Sequence, residues 1–309
     1  MRTYILEGIV TALSSISHNG GERNGTITQL RREKFVQPNG KVAKVPVISG
    51  NAIRGILRDR GMYSMLNELG YGVEGDGSVK GLSLQAFYFL FSGGALTSTG
   101  TEGINIETFR EMREAIPLIG LFGGAVGNVI MPGKMKIGKL IPICSETAHL
   151  IPNRFISDEP STIWDFCQTE MYTRRDDEKN DRVRMLISKP AIEAQGYEAK
   201  KTAPQQMKYE VETLAAGTKF FWRITLEDVS DVEFEAFLAT MLFFSKSPNI
   251  GGKGAVGHGE ISIHLDKWIE IDSRVNLQGT EVDVKLGTKY KEHLTAFGDK
   301  ICKFLNDMK

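Results

Sequence analysis

The chain has 309 residues and carries 38 basic and 38 acidic side chains, so its formal net charge is zero. Its composition, 41% hydrophobic and 25% charged, is that of a globular protein with one large domain or a core domain bearing insertions. No apolar run is long enough for a bilayer and the first residues lack a signal-peptide core, so the expectation is a cytoplasmic protein with no membrane partner. Cys144, Cys167 and Cys302 are widely spaced and form no C-x-x-C pair. That pattern indicates neither a disulfide framework nor a zinc site, and no cofactor or metal is implied.

Residues 4–13 read as an opening strand, followed by a polar, glycine-containing stretch and a basic segment from Arg31 to Lys44. Ser49 has the character of a helix N-cap with Ile48 as a hydrophobic staple, and the helix runs toward Leu69. Ile53, Ile56, Leu57 and Leu66 face a core in this reading, while Asn51, Arg54 and Arg58 share another face. Residues 82–91 read as a second buried helix ended by Gly93-Gly94, and 129–143 as a turn followed by a strand. Residues 170–184 hold ten charges in fifteen positions, too many for a core, and the segment 165–208 reads as a projecting insertion. Alternation of Phe220, Trp222, Ile224 and Leu226 then marks a strand. An amphipathic helix over 231–245 follows, with Phe234, Phe237, Leu238, Met241 and Leu242 on its buried side. The strand EISIHL and a helix within 280–309 complete an α+β order that fits a ferredoxin-like or RRM-like sheet.

The loop between the last two strong elements, NIGGKGAVGHG, contains a G-x-G-x-x-G spacing at Gly252, Gly254 and Gly257. A dinucleotide site needs a strand before that motif and a helix after it, whereas here the order is reversed. Five glycines in the nine residues 251–259 suit close backbone approach, to a phosphate or to another strand, and Lys253 supplies charge there. Charge is also unevenly distributed. Residues 1–60 carry ten basic against four acidic side chains, and 226–235 carry five acids and no base. Arg31, Arg32 and Lys34 lie just upstream of the helix that bears Arg54 and Arg58, a grouping suited to several weak phosphate contacts. The basic and acidic segments, on opposite ends of one copy, would complement a neighbouring copy.

Together these segments resemble the Cas-seven family, RAMP-type proteins that polymerise along CRISPR guide RNA. The resemblance rests on VPVISGNAIRGILRD (45–59), LFSGGALT (90–97), PLIGLFGGAVGN and MPGKMKIGKLIP (within 117–142), YTRRDD (172–177) and NIGGKGAVGHGEI (249–261). It is nearest to the type IV backbone subunit, with type I-D as the alternative. The resemblance implies an RRM-like palm over residues 1–309, a lid inserted at 14–44, a thumb inserted at 165–208 and a C-terminal helical segment from 280. It further implies that Arg54, Arg58 and the loop residues Gly251, Gly252, Lys253 and Gly254 contact the crRNA backbone and that Arg174 and Arg175 lie on or near the thumb. Arg31, Arg32, Lys34 and Asn51 join the RNA-binding candidates through the charge grouping at the helix start. The implied partners are crRNA, the target strand paired to it, further copies in a head-to-tail filament and other effector subunits. Type III relatives cleave RNA with an aspartate in the loop after the first strand, but residues 14–44 contain only Glu22 and Glu33. A Cas-six-like ribonuclease would instead use a histidine base, for which His18 and His258 are the loop candidates. A non-catalytic subunit is the expectation, with these two nucleases as alternatives.

Overall fold

The computed structural model describes residues 1–73, 79–94, 106–126, 129–174, 207–272, 276–281 and 285–308. Strands β1 (Arg2–Ala12), β2 (Asn19–Asn24), β3 (Ile27–Leu30), β4 (Arg32–Val36) and β5 (Val42–Pro46) precede helix α1 (Gly50–Glu68). Two short strands, β6 (Gly72–Val73) and β7 (Val79–Lys80), lead to α2 (Leu84–Phe87), which continues as a π-helical turn to Ser92. Helices α3 (Ile106–Ala115) and α4 (Pro117–Phe122) are followed by β8 (Gly124–Val126), β9 (Val129–Met131), β10 (Met135–Ile137) and β11 (Ile141–Pro142). The remaining elements are β12 (Cys167–Arg174), β13 (Met207–Leu214), β14 (Lys219–Val229), α5 (Asp231–Phe244), β15 (Ile261–Asp272), β16 (Asn276–Glu281) and α6 (Lys289–Asp307).

The main sheet is antiparallel, in the order β10-β14-β1-β15-β16, with β11 also on β14. Its centre pairs Val10 with Phe220, Leu6 with Ile224 and Tyr4 with Leu226, so period-two alternation puts these side chains on one face. That face is sealed by α1 and α5; Trp222, Phe220, Phe237 and Leu57 are all 1% exposed or less. On the reverse face Ile9 and Phe221 pack against Ile151 and Phe155 in a second, smaller core. Gly8 is obligatory in the middle of β1, since a Cβ there would lie 2.0 Å from the His264 carbonyl oxygen of β15.

Helix α1 starts where its letters place it: the Ser49 side chain accepts from the Ala52 amide at 3.2 Å, and Ile48 is buried beneath it. Helix α5 begins on a capping box in which Ser230 and Glu233 satisfy each other's amides. Leu242, expected on the buried side of α5, is instead 56% exposed, because the helix closes on α1 and α4 through a narrower stripe centred on Phe237 and Phe244.

The segment expected as a loop or lid at 14–44 is built from two hairpins, β2–β3 and β4–β5. Their polar letters conceal strand character because neither hairpin has a cleanly apolar face. Strands β12 and β13 pair in register from Cys167 opposite Leu214 to Arg174 opposite Met207, and β13 adds in parallel to β3. The base of the charged insertion and the N-terminal hairpin are therefore one four-stranded sheet, β12-β13-β3-β2. The stretch 175–206, with Arg175, lies outside the described residues; Arg174 is placed by its backbone as the end of β12.

Much of the charge of the acidic stretch at 226–235 is paired within the chain, although Asp228 and Asp231 remain exposed. Glu227 pairs with Lys136, Asp231 with Lys289 and Glu233 with Lys134, while Glu235 accepts from the Tyr290 amide at 3.0 Å. Glu233 and Glu235 are buried. Complementarity between this stretch and the basic segment of a second copy is thus corrected: most of its charge is neutralised inside one chain.

Candidate nucleic-acid interface

The glycine loop between α5 and β15 is closed at its neck, where Ile250 and Gly259 bond at 2.9 Å and Ile261 and Pro248 at 3.0 Å. It is stitched to the strand-like run after β1: the Gly252 amide donates to Ser17 at 2.7 Å and the Gly259 amide to Ser15 at 2.9 Å. The glycines divide into two kinds. A Cβ on Gly251 would lie 2.5 Å from the Ser17 carbonyl oxygen, and one on Gly259 would lie 2.1 Å from that of Ile250. These two are demanded by packing. A Cβ on Gly254 meets nothing within 4 Å, and Gly252, Gly254 and Gly257 are exposed. The amides of Val256, Gly257 and His258 turn back onto Lys253 and Gly254. Anion attraction at this loop therefore falls mainly on the Lys253 ammonium.

Lys253 sits over two aromatic rings, 5.0 Å from the Tyr172 centroid and 4.6 Å from that of Tyr209. The rings stack at 5.4 Å with 16° between their planes, on one face of the β12–β13 hairpin. This arrangement fixes a cation without neutralising it. Below it, His258 is 3% exposed and connects the loop to the hairpin. Its Nδ1 lies 2.9 Å from Ser15 Oγ and its Nε2 bonds the Tyr172 hydroxyl. Tyr172 Oη donates in turn to Glu170 at 2.8 Å, and Thr213 Oγ1 and Gln168 Nε2 also donate to that carboxylate. Burial alone would raise the Glu170 carboxyl, but donation from Ser15, Tyr172, Thr213 and Gln168 outweighs it and holds the group down at about 2. Burial, reinforced by the Glu170 charge, pushes the Tyr172 hydroxyl up to about 12. Both ring nitrogens of His258 are thus engaged within the chain. His18 is also engaged: its Nε2 accepts from the Ser49 amide at 3.2 Å, and burial, with Arg31 nearby, lowers its pKa.

On the opposite face of the same hairpin, Glu212 receives a two-pronged contact from Arg32, with Nη1 at 2.7 Å from Oε2, and also accepts from the Leu30 amide at 3.0 Å. Arg32 is consequently an anchor between β4 and β13, while Arg31 and Lys34 are exposed. Lys34 stands directly opposite Lys44 in the β4–β5 register.

The arginines of α1 behave otherwise. Asn51 is exposed at the helix start, but the shared outer face expected for Asn51, Arg54 and Arg58 does not exist. Arg58 is 7% exposed, and its guanidinium donates to the carbonyls of Phe89 at 3.2 Å, Gly123 at 2.9 Å and Leu90. Arg54 donates to the Phe122 carbonyl. Burial, with Arg54 beside it, lowers the Arg58 pKa to about 10, which leaves it charged at neutral pH. Sequence reasoning missed Tyr172, Tyr209 and His258 as a unit, although the alternation of Tyr209, Val211 and Thr213 was a readable strand signal. Among the described residues, no group of three or more His, Cys, Asp or Glu is arranged to hold a metal, and no helix is long and apolar enough to cross a membrane.

No known family profile matches the sequence, and no curated protein matches it. Among solved structures, a chain described as "Type IV-B CRISPR Complex" superposes with a TM-score of 0.59 at 22% identity, over 96% of this chain and 99% of that one. The protein therefore shares its fold, nearly end to end, with a chain of a type IV-B CRISPR complex.

Proposed function

We propose that the protein is a guide-RNA-binding backbone subunit of a class 1, type IV-like CRISPR ribonucleoprotein in the cytoplasm. It polymerises along the crRNA spacer beside other effector subunits, presents the guide for pairing with a target strand and cleaves neither. The observation that carries this reading is the fold shared with the type IV-B chain across 96% of the sequence. Several features support it. Strands β1, β10, β14 and β15, with α1 and α5 as crossovers, follow the β-α-β-β-α-β order of an RRM-like palm. The hairpins of 14–44 take the part of the lid, and β12–β13 the root of the thumb. Lys253 on its tyrosine pair, with Arg31, Lys34 and Lys44, supplies exposed or half-exposed cations for the sugar-phosphate path without reading bases. Engagement of both His258 nitrogens and of His18 supports a role without general-base chemistry.

The test is binding of single-stranded RNA of mixed sequence over a range of salt. Log affinity is expected to fall against log salt with a slope of about −0.7 per neutralised phosphate, with little dependence on sequence. Affinity indifferent to salt, or cleavage of the RNA, overturns the reading.

A further inference from the structure

A cavity of about 710 Å³ lies between the β4–β5 hairpin and the 3-10 turn Ile163–Phe166, within the size range of small-ligand sites. Its wall includes Trp164, which is 66% exposed. An exposed indole is ordinarily loose, but this one is carried on a fixed turn. Thr162 and Asp165 form a capping box, the Ile163 amide donates to Glu146 Oε2 at 2.9 Å, and Ile163 itself is 2% exposed. The Arg32 guanidinium, held by Glu212, stands 5.7 Å from the Trp164 ring centroid. Lys34 and Lys44, facing each other across β4 and β5, line the same cavity, and neither has an ion-pair partner among the described residues. Like charges directly opposite in a sheet destabilise it. An anion between them would remove that cost.

These features ask for a ligand with a flat, uncharged π face and a negative charge a short reach away. We propose that the cavity takes one unpaired base of the single-stranded RNA, stacked on Trp164, with its adjoining phosphate between Lys34 and Lys44. The base must be unstacked from its neighbours to enter, so duplex RNA is excluded. Arg32 contributes by fixing the indole from one side, which leaves the other face as the stacking platform. The proposal rests on the RNA-binding reading above and adds to it a discrete stacking position away from the glycine loop.

The experiment titrates the full chain with single-stranded 20-mers of adenylate and of uridylate, following anisotropy and tryptophan emission at several salt concentrations. Of the three tryptophans, Trp222 is buried at 1% exposure and Trp268 is half-buried, so quenching reports mainly on Trp164. Trp164→Ala is expected to weaken binding about tenfold, abolish most of the quenching and leave the salt slope unchanged. Trp164→Phe should restore most of the affinity. Lys34→Ala with Lys44→Ala should instead flatten the slope by about 0.7, the loss of one phosphate contact. RNA binding that survives Trp164→Ala at full affinity overturns the stacking site and leaves the RNA reading standing. Absence of RNA binding by the intact chain overturns both. Quenching that rises with protein concentration alone, or with an acidic peptide in place of RNA, shows that another partner covers Trp164 and overturns the proposal.

Discussion

Two clusters of basic residues that look alike in the letters differ in what their charges face. On α1, Arg58 spends its donors on the carbonyls of 89–90 and 122–123 and Arg54 gives one bond to the Phe122 carbonyl, tying α1 to the π-helical turn and to the end of α4. Around the four-stranded sheet, Lys253 rests on tyrosine rings, and Lys34 and Lys44 stand opposite one another with no ion-pair partner among the described residues, although Glu33 and Glu146 line the same cavity. The first cluster is mortar and the second is available to a ligand. A guanidinium has five donors in a rigid fork, and a carbonyl-lined corner takes it readily, whereas an ammonium over an aromatic face keeps its outward hemisphere open. Charge type and spacing alone do not separate the two; the acceptors nearby do.

Breaking the first half of this comparison has the largest expected effect. Arg58→Ala leaves several buried carbonyls unpaired and should cost about 3 kcal/mol of stability in denaturant unfolding. Arg58→Lys should recover only part of it, since one ammonium cannot reach the spread of acceptors. If Arg58→Ala folds with unchanged stability and loses RNA affinity, the two clusters are not different in kind. Next is Glu212→Gln, which removes the anion from Arg32 where the two side chains are 14% and 17% exposed. About 2 kcal/mol is expected, read as early melting of the β12–β13 hairpin by hydrogen exchange.

Much of the scaffold was legible in the sequence. Ser49 marked the start of α1, alternation from Phe220 to Leu226 marked β14, and the late glycine-rich run marked a loop between α5 and β15. These signals are local, because caps and strand periods involve residues a few positions apart. Arg58 was misplaced because its acceptors lie 31 to 65 residues away, which no helical wheel reports. The acids of 226–235 were misjudged for a different reason. Ser230-x-x-Glu233 is a capping-box signature, so one of those charges was already claimed by its own helix start. The tyrosine-lysine-histidine unit needs a loop and both strands of a hairpin brought together from 172, 209, 253 and 258, and only the fold assembles it.

The second half of the comparison is sharpened by Lys253→Ala, which should weaken RNA binding about fivefold and flatten the salt slope by about 0.7 while leaving the melting temperature nearly unchanged. Tyr209→Leu keeps the charge and removes one ring beneath it. A smaller loss of affinity with no change in slope is expected, measured in the same titrations. Equal slopes for Lys253→Ala and the intact chain would mean that this ammonium meets no phosphate.

The smallest expected effect concerns how the start of α1 is held. His18 accepts a hydrogen bond from the Ser49 amide through Nε2, which requires that nitrogen to be unprotonated. Burial, then the Arg31 charge, lowers its pKa from the ordinary 6.5. A histidine whose folded pKa is depressed binds its proton more weakly folded than unfolded, so stability rises with pH where the unfolded chain is the more protonated. The contribution is fully present above about 6.5 and is lost as pH falls through the lower folded value. Cooling of the melting temperature between pH 7 and pH 5 should therefore be steeper in the intact chain than in His18→Gln, whose side-chain oxygen is a non-titrating acceptor. Since Arg58, four carbonyls deep, does not titrate in this window, the difference between the two curves isolates the His18 end of the helix. Parallel curves would mean that the Ser49 amide finds another acceptor when the imidazole is charged.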